Sequence, residues 1–186
     1  MRINRTESNT SRSPANTIMD RSISNFFVDN RPEWLGHMAK FVSYLGQFPI
    51  HIVILIGIGL LLKKRSELIF LAVASAVFAY GLNTILKRLF DRARPPESDW
   101  FQGYDAHGFS LPSGHAVNAA VLGVFIYLWL PARWRWTGPV VAVAVMWSRV
   151  QLGVHWPSDV IFGAVIGGAV AFGSTRLSNK RMAETV

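Results

Sequence analysis

The stretch GFSLPSGHAVNAAVLGVFIYLWLPA, residues 108–132, runs for 25 residues without an Asp, Glu, Lys or Arg. A helix that crosses a bilayer needs about 20 consecutive, mostly apolar residues. Two more runs of the same kind cover residues 41–62 and 68–86, with 22 and 19 residues. These three runs predict bilayer-spanning helices.

Two shorter uncharged runs follow, at residues 136–148 and 160–175. Only Arg149 interrupts the chain between Trp136 and Ser158, so we assign these runs to a fourth and a fifth span. A lipid-exposed segment must satisfy its own backbone hydrogen bonds, and none of the runs alternates as barrel strands do. The predicted fold class is all-α, a multi-pass transmembrane bundle of about five spans.

The composition agrees with a membrane protein and excludes several classes of site. The chain is 51% hydrophobic and 16% charged, which is the opposite of a disordered composition. It has no cysteine, which excludes a disulfide scaffold, a thiolate metal site and a cysteine nucleophile. Its net charge of +8 permits nucleic acid, an acidic membrane surface or a phosphorylated substrate as partner.

The chain divides into four predicted regions. These are a disordered polar tail (1–17), an amphipathic segment at the membrane interface (18–45), a transmembrane domain (46–176) and a basic cytoplasmic tail (177–186). The helical spacing of apolar residues in 18–45 fits an interfacial helix, or equally the first part of a long first span. Basic residues are more numerous on the side of the C-terminal tail, so residues 87–111 are expected to face away from the cytoplasm.

Ionisable residues collect at the span ends on that second side, where they are costly unless solvated or paired. The set comprises Lys87, Arg94, Ser113, His115, Arg149, His155 and Asp159. Three cations disfavour a divalent metal, whereas Arg and Lys suit phosphate oxygens. Ser113 and Gly114 precede a helical run, where free amides and the helix dipole favour an anion.

A reaction follows from the two histidines. His155 and Asp159 are four residues apart, and a carboxylate beside one ring nitrogen leaves the other nitrogen free to attack. His115, on another helix, could protonate a leaving oxygen. The alternatives stay open: His155 with Asp159 also fits a structural pair, and the basic residues fit interface anchors. We assign Arg88 and Arg92 to such anchors.

Three motifs carry a family resemblance: Lys87 with Arg94-Pro95, Pro112-Ser113-Gly114-His115, and Ser148-Arg149 with His155 and Asp159. Over roughly residues 40–175 the chain resembles the type 2 phosphatidic acid phosphatase superfamily of integral membrane lipid phosphatases. That superfamily is related to vanadium haloperoxidases and bacterial acid phosphatases.

The resemblance implies roles for the motif residues. His155 would be the nucleophile, oriented by Asp159, and His115 would be the acid and then the base. Lys87, Arg94, Arg149, Ser113 and Gly114 would hold the phosphoryl oxygens, with no metal and no cofactor. The family often has six spans, and this chain would lack the first.

The predicted function is therefore a phosphatase of the plasma (inner) membrane, with its active site on the extracytoplasmic side. Its partners would be the membrane and a lipid phosphate, without nucleic acid, and no oligomeric state is predicted. The alternatives are a catalytically silent protein that binds or carries anionic lipids, and a lipid phosphotransferase. Phosphatidic acid, phosphatidylglycerol phosphate, an isoprenoid diphosphate and lipid A all carry a phosphoryl group that would fit this phosphate cradle, the set formed by Lys87, Arg94, Ser113, Gly114 and Arg149. We expect the loop Glu97–Phe109 to select among them.

Overall fold

The computed structural model describes residues 18–95 and 108–184. Within these residues the chain forms seven α-helices and one short 3-10 helix, so the predicted all-α class is confirmed. The helices are α1 (Ile18–Asp29), α2 (Glu33–Ser43), the 3-10 helix (Tyr44–Gly46), α3 (Ile50–Leu61), α4 (Ser66–Phe90), α5 (Gly114–Trp129), α6 (Thr137–Gln151) and α7 (Pro157–Glu184).

Helix α5 is the centre of the bundle. It packs against α3, α4, α6 and α7, and most of its side chains are buried. Two glycines allow α7 to approach it closely. A Cβ atom added at Gly167 would lie 2.2 Å from the carbonyl oxygen of Val117, and one added at Gly163 would lie 2.7 Å from that of Ser113. This contact places the first turn of α7 beside the first turn of α5.

The outward faces of the bundle are apolar. Large hydrophobic side chains are exposed on α3, α4, α6 and α7, among them Leu61, Phe70, Val143, Val165 and Phe172. A surface helix of a soluble protein carries charged and polar residues on that face. The exposed apolar faces are those of an integral membrane protein, whose outer surface contacts lipid chains.

Two helices are individually long and apolar enough to cross a bilayer, namely α4 and the part of α7 that ends at Ser178. The first predicted span, residues 41–62, is not one straight helix. Glu33–Gly46 and Ile50–Leu61 meet the criterion only together, and they bend by 65°. Pro49 lies at the bend and precedes α3 directly, where its ring cannot continue the preceding helix.

The fourth and fifth predicted spans differ from each other in length. The fifth is α7, which has 28 residues and exceeds its uncharged run, whereas the fourth, α6, has 15 residues. The helix of the third predicted span, α5, is also short, with 16 residues. At 1.5 Å per residue α5 is about 24 Å long, less than the roughly 30 Å of a hydrocarbon core. The count of five spans therefore stays a prediction.

The N-terminal region packs against the bundle. α1 contacts α6 and α7, and α2 contacts α6 and the 3-10 helix. The predicted tail 1–17 lies outside the described residues. The predicted C-terminal tail begins inside α7, which continues to Glu184.

Candidate active site

The eight predicted site residues come together at one end of the bundle. Lys87 is in the last turn of α4, and Arg94 lies just after that helix. Ser113, Gly114 and His115 start α5, Arg149 is near the end of α6, and His155 and Asp159 flank the start of α7. The backbone N–H of Ser113 donates to the carbonyl of Asp159 at 3.1 Å, which joins the second motif to the third.

The first turn of α7 has the local sequence that starts a helix. Pro157 occupies the first helical position, where the missing N–H costs nothing. The Asp159 carboxylate reaches back to accept the backbone N–H of Trp156 at 2.9 Å, as a capping residue does. The carboxylate is thereby fixed beside the segment that carries His155.

His155 and Asp159 face each other. Nδ1 of His155 lies 3.6 Å from Oδ2 of Asp159, slightly beyond hydrogen-bond distance. Catalytic hydrogen bonds are often long in a structure without substrate. Oδ2 also accepts hydrogen bonds from the Ser110 hydroxyl and the Trp156 amide, so several groups hold this carboxylate in place.

The other ring nitrogen of His155 faces a guanidinium. Nη1 of Arg94 lies 3.5 Å from Nε2 of His155. Arg94 is fixed by two carbonyls, since Nη1 donates to Val154 at 3.0 Å and Nε donates to Gly108 at 3.2 Å. An anionic group bonded to Nε2 of His155 would therefore lie in direct contact with the Arg94 guanidinium.

Two further cations complete the cluster. Nζ of Lys87 donates to the carbonyl of Phe109 at 2.6 Å, and buried Arg149 donates from Nη1 to the Ser43 hydroxyl. Lys87, Arg94 and Arg149 act electrostatically on both imidazoles, His115 and His155. The two histidines thus share one set of cations.

Burial lowers the pKa of His155 well below its usual value, and the positive charges of Arg94, Arg149 and Lys87 lower it further. The ring is therefore neutral at neutral pH. A proton on Nδ1, directed at Asp159, would leave a lone pair on Nε2. That is the form in which imidazole acts as a nucleophile.

The start of α5 supplies the neutral part of the cradle. The Ser113 hydroxyl is completely buried, and it has no hydrogen-bond partner among the described residues. Its amide is already bonded to Asp159, so Ser113 offers its hydroxyl rather than its N–H. At Gly114 an added Cβ atom would lie 3.1 Å from the Asn83 amide, so glycine keeps this corner open.

Arg92 corrects one prediction. We expected an exposed interface anchor, but Arg92 is 2% exposed. Its guanidinium donates to the carboxylates of Asp20 and Asp159 and to the hydroxyl of Ser158. A buried arginine needs such partners.

The sequence did not reveal these partners of Arg92. Asp20 is in α1, a helix with no sequence link to the motifs. Ser110, which also holds Asp159, precedes the second motif by only two residues. Its position close to this motif was the one feature of the sequence that pointed to a role for Ser110 in the site.

Metal binding is not indicated by the described part of the chain, which places no group of three His, Cys, Asp or Glu where it could hold an ion. Most of the loop expected to select the substrate, Glu97–Phe109, lies outside the described residues.

The fold and the site define a class: a helical membrane protein in which an imidazole lies beside a carboxylate and a cluster of cations that suits a phosphoryl group. The model of the PAP2 superfamily matches residues 68–183. The chain belongs to this superfamily, as the motifs predicted.

Two relatives and one solved structure support this membership. Phosphatidylglycerophosphatase B of Bacillus subtilis is 32% identical over 162 residues, which cover 80% of this chain and 77% of the relative. The undecaprenyl-diphosphatase of Sulfolobus acidocaldarius is 30% identical over 154 residues, covering 81% and 74%. The crystal structure of the transmembrane PAP2 type phosphatidylglycerolphosphate phosphatase from Bacillus subtilis has a TM-score of 0.75 and 28% identity, covering 87% of this chain and 85% of that one.

Proposed function

We propose that this chain is an integral membrane phosphatase that hydrolyses a phosphomonoester or diphosphate on a lipid through a phosphohistidine. One observation carries the proposal: Nε2 of His155 is 3.5 Å from Nη1 of Arg94. The charges of Lys87 and Arg149 also act on the same ring. The named relatives are phosphatases of lipid phosphates, and the predicted enzyme class is confirmed with them.

In the first step the cations hold the nonbridging oxygens of the substrate phosphoryl group, together with the Ser113 hydroxyl and the amides at Gly114. Nε2 of His155 attacks phosphorus, and the bond from phosphorus to the leaving oxygen breaks. His115, which enters this step protonated, gives its proton to that oxygen, which leaves as the hydroxyl of the lipid or, from a diphosphate, of the lipid phosphate. The phosphoryl group is then bonded to Nε2.

In the second step water attacks the phosphohistidine and His115 takes up the water proton. The bond from phosphorus to Nε2 breaks, inorganic phosphate leaves and His155 returns to its neutral form. Asp159 holds the Nδ1 proton throughout and stabilises the positive charge that develops on the ring. The complete set of acid, nucleophile and orienting carboxylate favours hydrolysis over the silent lipid carrier, since binding alone requires only the cations.

The membrane placement belongs to the same proposal. We propose five spans, with α1 and α2 at the interface, in the plasma membrane. The larger number of basic residues on the side of the C-terminal tail supports a cytoplasmic tail and an extracytoplasmic site. Relatives named for phosphatidylglycerophosphate and for undecaprenyl diphosphate support an acidic lipid substrate in that membrane.

A phosphate-release screen tests the function. The purified chain in detergent is offered phosphatidic acid, phosphatidylglycerol phosphate, an isoprenoid diphosphate and lipid A, each with and without chelator. We expect release from at least one lipid, no effect of chelator, and inhibition by vanadate. No release from any lipid, with binding intact, would instead favour the silent carrier. Product analysis separates hydrolysis from transfer to another acceptor.

A further inference from the structure

Asp20 on α1 contacts the first turn of α7. The side chain is buried, with 4% of its surface exposed. Its Oδ1 accepts the backbone N–H of Ser158 at 3.1 Å, and its Oδ2 accepts the Ser158 hydroxyl at 2.5 Å. The first N–H groups of a helix lack partners within the helix and attract negative charge. Asp20 therefore caps α7 from a separate helix.

Arg92 connects this cap to the proposed catalytic carboxylate. Its Nη2 donates to Oδ2 of Asp20 at 2.7 Å, and its Nη1 donates to Oδ1 of Asp159. Nη1 also donates to the Ser158 hydroxyl at 2.7 Å, and the guanidinium lies 5.8 Å from the centre of the Trp156 ring. One buried cation thus bridges two buried carboxylates that come from opposite ends of the chain.

We infer that Asp20 is a positioning residue for the site: it fixes Arg92 and Ser158, and Arg92 fixes the Asp159 carboxylate that faces Nδ1 of His155. This inference rests on the proposed function of His155 and Asp159. It makes α1 part of the support of the site, although α1 lies outside the three motifs and contributes nothing to the phosphate cluster.

The network acts on the orientation of the nucleophile and not on the cations that bind phosphate. Disturbing Asp20 should therefore lower kcat and leave KM unchanged, because the lost interaction matters for the chemical step. A purely structural role would lower the amount of folded protein but leave the kcat of the folded fraction intact. Measuring kcat and KM separately, per folded protein, therefore distinguishes a positioning role from a purely structural one.

The first test compares variants of the full chain in detergent, with turnover expressed per folded protein. Asp20→Asn should lower kcat at least tenfold with KM within twofold of wild type, and Asp20→Glu should recover part of the loss because it keeps the charge. Asp29→Asn is the matched control, since it removes the same charge from an exposed position on α1. Wild-type kcat in Asp20→Asn would overturn the inference.

The route through Arg92 has its own test. In an Arg92→Lys background, Asp20→Asn should change kcat by clearly less than tenfold, because the bridge through Arg92 is already disturbed and only the contacts with Ser158 remain to be lost. A full tenfold loss in that background would overturn the proposed route. If Asp20→Asn does not fold, Ser158→Ala takes its place: it should lower kcat severalfold at unchanged KM, and an unchanged kcat would contradict the inference.

A measurement without turnover separates this inference from the proposed function. Hydrogen exchange of the α1 amides should accelerate in both Asp20→Asn and Arg92→Lys, and remain at the wild-type rate in Asp29→Asn. Equal exchange in all four proteins would overturn the network even if the enzyme is active. An inactive wild type with accelerated exchange in the two variants would reject the function and retain the network.

Discussion

Nη1 of Arg94 lies 3.5 Å from Nε2 of His155, on the opposite side of the imidazole from the Asp159 carboxylate. The ring therefore lies between a carboxylate at one nitrogen and a guanidinium at the other. This arrangement makes the guanidinium of Arg94 the first group that a phosphoryl group on His155 would contact.

Arg94→Lys should lower kcat/KM by roughly tenfold to a hundredfold. Lysine keeps the charge but loses the planar fork, and a hydrogen bond to a charged group contributes about 1.5–3 kcal/mol. Steady-state kinetics of phosphate release measures the effect. Arg88→Lys is the matched control, since Arg88 is exposed on α4 and should keep wild-type values. The same kcat/KM in both variants would show that Arg94 does not bind the phosphoryl group.

Ser113→Ala should lower kcat/KM by roughly tenfold without lowering stability. The buried hydroxyl has no hydrogen-bond partner among the described residues, so removing it breaks no hydrogen bond within them. It also removes a buried, unpaired polar group, whose burial is unfavourable for folding. Ser75→Ala provides the contrast, since the Ser75 hydroxyl bonds to Ser174 far from the site. That variant should lose stability and keep kcat/KM. A loss of stability in Ser113→Ala with intact kinetics would assign the hydroxyl to folding.

Asp159→Asn should reduce both turnover and stability. In the proposed mechanism Asp159 orients His155, so we expect kcat to fall at least a hundredfold. It also accepts a charged hydrogen bond from buried Arg92, and the loss of one such partner costs about 1–3 kcal/mol. Kinetics and thermal unfolding of the same preparations check the two effects. Asp91→Asn, at an exposed left-handed position after α4, is the control and should change neither.

Stability should fall with acidity through His155. Its folded-state pKa lies below the usual 6.5, so the unfolded chain binds a proton at a pH where the folded protein does not. The stability contributed by the neutral ring is present above pH 6.5 and is lost as the pH falls below it, at no more than about 1.4 kcal/mol per pH unit.

Thermal unfolding, followed by tryptophan fluorescence at several pH values between 7.5 and 5.5, measures how stability depends on pH. His155→Asn should show a shallower loss than wild type. The same slope in wild type and His155→Asn would contradict the burial of a neutral His155.

The sequence predicted the convergence of distant motifs because each motif lies at the end of an apolar run. Lys87, His115 and Asp159 are each within one turn of a helix end, and the spacing of the runs places those ends on one side. Charge then decided the chemistry, since three cations beside two imidazoles suit phosphate and repel a metal. These arguments need only the positions of residues along the chain.

The network around Asp20 and Arg92 could not be predicted in the same way. A basic residue near a helix end fits an interface anchor as well as a buried bridge, and the difference depends on whether carboxylates reach it. Asp20 is 72 residues from Arg92, and only the docking of α1 against α7 brings them together. Likewise, the bend at Pro49 depends on how α2 packs against α6 and how α3 packs against α5.

Identification of a phosphorylated residue tests the central claim most directly. The enzyme is mixed with a radiolabelled lipid phosphate, stopped in alkali within one turnover, and digested, and the labelled peptide is sequenced by mass spectrometry. The account predicts acid-labile label on Nε2 of His155, increased in a His115→Asn variant that hydrolyses the intermediate slowly, and absent from His155→Ala. Label on another residue, or full turnover by His155→Ala, would contradict it.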